Sequence, residues 1–342
     1  MIEEIKQLYN DRDNMEETTK TPSVCIFSWD EKRSIPKYTI AIPTYNRTDL
    51  LKYALESSIH QEGFDDYEIL VVDNNPERDD ATERFMMQYK DHPKVAYYKN
   101  TVNLGMTGNW NKLYLLARTE WVTMLHDDDM LYPDFYRNMA NVVEHTPEAV
   151  CFYSCYNGIK DNTDHQPERT KQPIKVMTLK ETDFLTGCHV HTCLGMTAKK
   201  EVIHQVGGFN PDFYPSLDYH FHVKLSHYFP IRWLRGYPIA TYRWFVNAGG
   251  KEETLPGWVE KDSRIKHLVL QNNRTWVPRW MFNQYLRWFN YLYMQNWYNT
   301  FHPGNTATKP SLWSKVMYGV VKFRLGLPKK LRKNQVFENL SL

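Results

Sequence analysis

The 342-residue sequence has no run of about 18 apolar residues, so no spanning helix is expected. It has no CxxC pair, and its five cysteines are Cys25, Cys151, Cys155, Cys188 and Cys193. An odd number without paired spacing argues against a disulfide framework and for reduced thiols in a cytoplasmic protein. GxxxxGK[ST] occurs nowhere, and GxGxxG does not follow the first strand-like segment, which disfavours a P-loop ATPase and a Rossmann dehydrogenase. Residues 1–36 lack the basic and apolar regions of a signal peptide and read as a polar leader with little periodicity. Acidic residues are nearly missing from the last quarter. After Asp262 only Glu338 is acidic, against Arg264, Lys266, Arg274, Arg279, Arg287, Lys309, Lys315, Lys322, Arg324, Lys329, Lys330, Arg332 and Lys333. The net charge of +2 therefore conceals an asymmetry that points to an anionic partner or surface at the C-terminal end.

Aromatic residues, in contrast, are abundant at 15%, enough to fill cores and to build platforms for flat ligands. From residue 37 onward, short apolar runs alternate with helical spacing. YTIAIPTYN (38–46), YEILVVDNN (67–75), KVAYYKN (94–100), EWVTMLHDD (120–128) and AVCFYSCY (149–156) read as buried strands. LLKYALESSIHQ (50–61), ATERFMMQYKD (81–91), GNWNKLYLLA (108–117) and PDFYRNMANVVEH (133–145) read as helices, the first capped by Asp49. Near-continuous apolar strands between helices predict an α/β fold with a mainly parallel sheet covered on both faces. Ligands bind such sheets beyond the carboxyl ends of the strands. PTYNR, DNN and HDDD all fall at those ends. Residues 157–180 are polar and read as a linker loop.

Three adjacent carboxylates, Asp127, Asp128 and Asp129, repel one another unless a cation or a turn offsets the cost. Hard divalent cations take carboxylate and phosphate oxygens. If the strand end stays extended, Asp127 and Asp129 share one side and Asp128 points elsewhere. The segment CHVHTC (188–193) matches no closed zinc site. It reads as a strand lining a cleft, with His189 and His191 on one face and His191 a candidate contact.

The ordered series PTYNR, VVDNN, NLGMTGNWN, HDDD and GGF…LDYHF resembles the family 2 glycosyltransferases of the GT-A fold, over about residues 37–245. The resemblance implies a nucleotide-sugar half at 37–156, an acceptor half at 157–250 and a helical C-terminal extension at 251–342. It implies that Pro43, Tyr45 and Arg47 meet the nucleotide, Tyr45 by stacking and Arg47 at a phosphate. Asp73 would accept a hydrogen bond from a uracil imide. Asn103, Gly105 and Asn109 would pass close to the nucleotide, and Asp127 and Asp128 would help bind the nucleotide sugar, with Asp128 turned toward the sugar or the loop itself. Asp129 first, then Asp127, would hold Mn²⁺ or Mg²⁺. Asp218 would deprotonate the acceptor, with Leu217 standing where a second acidic residue is often seen. Arg243 would lie near nucleotide or acceptor.

The implied reaction is an inverting, metal-assisted transfer from a nucleotide diphosphate sugar, UDP-linked, to a hydroxyl of a glycan or lipid-linked acceptor. Two other readings stand beside it: a non-catalytic nucleotide-sugar-binding protein on the same fold, and an aspartate-dependent phosphatase. The second fits poorly, because Met130, Leu131 and Tyr132 follow the aspartates where a small flexible turn is wanted. In the C-terminal region, Trp313, Val316, Met317, Val320 and Val321 fall on one helical face beside basic residues. That combination suits peripheral contact with an anionic membrane surface on its cytoplasmic side. No nucleic-acid-binding module is visible, so no nucleic-acid partner is expected.

Overall fold

A computed structural model describes residues 1–9, 11–30, 32–160, 165–244, 252–273, 275–330 and 334–337. The polar leader is the first departure from expectation. It folds into α1 (Ile2–Tyr9), α2 (Asn14–Thr19) and strand β1 (Ser23–Phe27). Ile5, Tyr9, Met15 and Trp29 are buried in the main core. These apolar residues are too widely spaced to give a periodic signal, yet they anchor the segment. Asp11 fixes it further, accepting from Lys224 Nζ at 2.5 Å with both side chains fully buried.

The next strands are β2 (Tyr38–Thr44), β3 (Tyr67–Asp73), β4 (Val95–Asn100) and β5 (Trp121–Met124). Their spatial order is β4-β3-β2-β5, all parallel, with β1 antiparallel on the outer edge. Side chains alternate across this sheet. Ile40, Ile42, Ile69 and Val71 face one core, while Ala41, Leu70, Val72 and Met124 face the other. Helices α3 (Thr48–Ile59), α4 (Ala81–Met86), α5 (Gly105–Leu116) and α6 (Phe135–Glu144) link or follow these strands. Leu51, Ala54, Leu55 and Met139 cover the first face, and Leu113 and Tyr114 the second. Asp49 is not the cap of α3. The helix starts at Thr48 with Arg47 at the cap position, so Asp49 lies within its first turn.

Short strands follow: β6 (Met130–Leu131), β7 (Cys151–Tyr153), β8 (Tyr156–Ile159), β9 (Ile174–Leu179), β10 (Met196–Lys199), β11 (Ile231–Gly236), β12 (Ala240–Arg243) and β13 (Gln335–Phe337). Among the described residues, ten strands join in one sheet, β1-β4-β3-β2-β5-β10-β7-β11-β9-β13, and β6-β12-β8 form a second. The expected linker at 157–180 thus contributes two strands, the end of β8 and all of β9. Strand β9 pairs with β11 along six residues and buries Ile174 and Val176 in one core and Met177 and Leu179 in the other. Helices α7 (Lys200–Gln205) and α8 (Leu217–Tyr228) complete the domain. Long helices α9 (Leu255–Asn272), α10 (Arg279–Phe301) and α11 (Leu312–Lys330) form the C-terminal part. Arg274, Arg332, Lys333, Glu338 and the expected domain boundary at 250 lie outside the described residues. All five cysteines are free. Among the described residues, no helix is long and apolar enough to cross a membrane.

Candidate active site

A cleft of about 510 Å³ opens at the carboxyl ends of β2 and β5. Each wall follows from local chemistry. Pro43 sits inside β2, where the ladder to β5 has already stopped at Ala41 and Met124, so its missing N–H leaves no gap there. Thr44, Tyr45 and Arg47 continue the wall, with Tyr45 exposed to the cleft. Opposite them, Asn103, Gly105 and Asn109 border the cleft from the start of α5. Gly105 has φ +68°, and a Cβ there would meet nothing within 4 Å. Its glycine is required by the left-handed backbone, and the open space beside it leaves room for a ligand. Asn103 accepts from Gly105 N at 2.8 Å and from Asn74 Nδ2 at 2.7 Å. Asn109 is not a helix cap, because α5 begins four residues earlier. It donates to Val72 O at 3.1 Å and accepts from Asn100 at 2.9 Å, tying strand ends together at the cleft floor.

Asp73 does not line this cleft. It is fully buried, and parallel pairing sets it beside Lys99 on β4. One oxygen accepts from Tyr97 at 2.7 Å and Lys99 at 3.0 Å, and the other from Asn75 N at 2.9 Å. Both oxygens thus have protein partners, and the side chain is closed off from the cleft surface where the uracil contact is expected. The next residue, Asn74, lines the cleft in its place.

The triple aspartate is a turn, not an extended strand end. Strand β5 stops at Met124, and Asp129 N donates to His126 O at 3.2 Å. A turn cancels the i, i+2 relation, so Asp127 and Asp129 part company. Asp127 accepts from Thr44 Oγ1 at 2.9 Å and Arg47 Nη1 at 3.2 Å. Asp128 accepts from the same arginine nitrogen at 2.9 Å. Asp129 turns inward to His126 Nδ1 at 3.1 Å and Arg243 N at 2.8 Å. Burial first, and the Asp128 charge second, push both Asp127 and Asp129 up to about 6. Asp127 and Asp128 border the cleft, whereas Asp129 is only 1% exposed.

His126, Asp128 and Asp129 present ligand atoms within 4.8 Å of one another. This set differs from the expected Asp129–Asp127 pair. Two carboxylates and an imidazole suit Mn²⁺ well, and Mg²⁺ less, since imidazole favours transition metals. The buried Nε2 of His126 has no hydrogen-bond partner among the described residues. The imidazole stacks on Trp110, with centroids 5.3 Å apart. Arg243 is buried, and antiparallel pairing of β12 with β6 brings it to the aspartate turn. Its Nε donates to Asp128 O at 2.8 Å, so it braces the turn and does not line the cleft.

Across the cleft, Gly207 and Gly208 end α7 with φ +72° and +67°. A Cβ on Gly208 would stand 2.6 Å from Asn111 Oδ1. Asn111 clasps Phe209, accepting from its N at 2.8 Å and donating to its O at 3.0 Å. This clasp seats the following segment, and α8 begins with Ser216 as cap and Asp218 in its first turn. Asp218 borders the cleft. Burial pushes its carboxyl up to about 7, against the hydrogen bond from Tyr219 N, and the Asp262 charge adds to the rise. Asp262 lies on α9, 44 residues away from Asp218 in sequence, so no local motif marks it. It faces Lys266 Nζ at 3.8 Å. Trp258, one turn before Asp262 on α9, borders the cleft as well. His191 stands at the rim, but CHVHTC is not a strand. His189 turns away to Asp183 O at 2.8 Å, so the two histidines do not share a face.

Residues 39–206 match the family model described as glycosyl transferase family 2. A GalNAc(5)-diNAcBac-PP-undecaprenol beta-1,3-glucosyltransferase of Campylobacter jejuni is 38% identical over 98 residues, 28% of this chain and 31% of that protein. The chain thus spans about a third of that relative's length. TarS 1–349 of S. aureus, solved with UDP-GlcNAc, superposes with TM-score 0.55 at 13% identity, covering 86% of this chain and 81% of TarS. The mannosyltransferase PcManGT of Pyrobaculum calidifontis, solved with GDP-Man and Mn²⁺, gives TM-score 0.50 at 17% identity, covering 92% and 87%. At such identities the two structures speak for the fold alone. Through residues 39–206, the chain belongs to the family 2 glycosyl transferases, built on the GT-A fold.

Proposed function

We propose that the protein transfers a sugar from a nucleotide diphosphate sugar, UDP-linked, to a hydroxyl of a glycan or lipid-linked acceptor, with inversion. The observation that carries this reading is one cleft bordered on one side by Asp127 and Asp128 and on the other by Asp218. A carboxyl at about 7 gives up and takes a proton readily near neutral pH, which suits a general base. A phosphatase would instead want a nucleophilic aspartate before a small flexible turn, and Arg47 already holds both cleft-facing aspartates.

Tyr45 offers a face for the base, and Asn103, whose Oδ1 is held by Asn74 and Gly105, offers its amide NH₂ for base or ribose, while Asn74 positions it. Arg47 is placed to exchange its carboxylate partners for a phosphate oxygen. His126, Asp128 and Asp129 would hold Mn²⁺ or Mg²⁺, with Arg243 bracing the turn. What a divalent cation supplies when held there is positive charge against the departing diphosphate. Asp218 takes the proton from the acceptor hydroxyl as that oxygen bonds to the anomeric carbon and the bond to the diphosphate breaks. A single displacement of this kind inverts the anomeric centre. The Campylobacter relative's name places its own acceptor on undecaprenol, which supports a lipid-linked acceptor here.

A screen of nucleotide sugars for binding and hydrolysis, with and without Mn²⁺ or Mg²⁺, tests the reading. Binding of a uridine nucleotide with metal-stimulated hydrolysis is expected. Absence of uridine nucleotide binding, with no effect of metal, would sink it. If Asp218→Asn keeps nucleotide binding and full transfer, the base assignment fails on its own.

A further inference from the structure

The outward side of α11 has the opposite character from an ordinary surface helix. At about 100° per residue, Leu312, Val316 and Phe323 fall within roughly 40° of one another, and Trp313 adjoins them. They are 74%, 46%, 67% and 53% exposed. The expected apolar face divides here. Met317 and Val321 turn to the opposite side with Ser314 and are buried. Tyr318 stacks on Tyr285 of α10 at 5.4 Å, which anchors that inner side. The helix therefore has two apolar sides, and only one is covered.

The patch continues onto the start of α10. Trp276 is 92% exposed and Trp280 55%. Arg324 Nη1 donates to Trp276 O at 3.3 Å, so this tryptophan stands against the Phe323–Arg324 end of α11. Lys315 and Lys322 flank the apolar strip on one side and Arg324 on the other. No acidic residue occurs between Asp262 and Glu338 to offset them.

We propose that this strip of α11, extended by Trp276 and Trp280, docks on an anionic lipid surface, with the helix lying parallel to the interface. Aromatic and aliphatic side chains enter the boundary between headgroups and acyl chains, and the flanking cations meet lipid phosphates. A second copy of the chain fits less well, because a twofold contact would set like charges face to face. The surface complements the proposed action on a lipid-linked acceptor, yet its binding can be measured apart from catalysis.

Full-length protein is sedimented with vesicles of mixed phosphatidylglycerol and phosphatidylcholine, and with phosphatidylcholine alone. Binding to the anionic vesicles, weakening at high salt, is expected. The double variant Lys315→Gln/Lys322→Gln should bind about 25-fold more weakly, at about fivefold per charge. Phe323→Ser/Trp276→Ser should lose binding even at low salt. Both variants should keep the wild-type melting temperature and nucleotide-sugar hydrolysis. Equal binding to both vesicle types, or unchanged binding by both variants, overturns the proposal. So does a concentration-dependent dimer that Phe323→Ser abolishes, in the absence of vesicle binding. Vesicle binding without any nucleotide-sugar binding would leave this surface standing and remove the transferase reading.

Discussion

Replacing Asp218 by Asn tests stability and catalysis together. The folded carboxyl sits at about 7 against an ordinary 3.8. A raised carboxyl binds its proton more tightly when folded, so wild-type stability falls as pH rises from about 4 through about 7. The full gap corresponds to roughly 4 kcal/mol. Because the carboxylate borders an open cleft, solvent reduces this to about 2 kcal/mol. Asn cannot ionise. The variant should match wild type near pH 4 and exceed it by about 2 kcal/mol at pH 8, a few degrees in Tm. Transfer should fall by about 10²–10⁴-fold, the ordinary worth of a general base. Wild-type kcat/KM should rise tenfold per pH unit below about 7 and level off above it. Thermal melts across pH and initial rates on a soluble acceptor measure both effects. A rate loss under tenfold, or an acidic limb near pH 4, would refute the reasoning.

Arg243→Ala removes the brace on the aspartate turn and should weaken Mn²⁺ binding by about 10–100-fold, read by metal titration of hydrolysis. Asp73→Asn leaves Lys99 with Asp80 at 2.9 Å and Glu83 at 3.6 Å, so it should cost only about 1–2 kcal/mol in urea unfolding, with nucleotide affinity unchanged in the folded protein. Asn74→Ala removes hydrogen bonds to Asn100, Asn103, Leu104 and Gly105, so it should weaken uridine nucleotide binding in calorimetry and also cost about 1–3 kcal/mol of stability. Asp11→Ala should destabilise by about 3–5 kcal/mol, because Lys224 loses its carboxylate in a site closed to water, and denaturant melts will show it.

The sequence itself determined the parallel half of the fold. Ile40, Ile42, Leu70 and Val72 leave no wet face, and strands covered on both sides alternate with helices for that reason. It also placed the chemistry at the strand ends, because PTYNR, VVDNN and HDDD each interrupt an apolar run at the same edge. Tertiary structure decided which atoms face the cleft. Asp73 and Asn74 are adjacent, but pairing with β4 gives Asp73 to Lys99 and leaves Asn74 to the cleft. A turn at 127–128, fixed by β6 pairing with β12, separates Asp127 from Asp129 and brings His126 and Arg243 to the aspartates. Asp262 reaches the neighbourhood of Asp218 only because α9 packs on α8, a contact no spacing encodes. The leader was illegible for a related reason. Tyr9 and Asp11 are satisfied by partners about 200 residues away, and long-range pairing of single residues leaves no period to read.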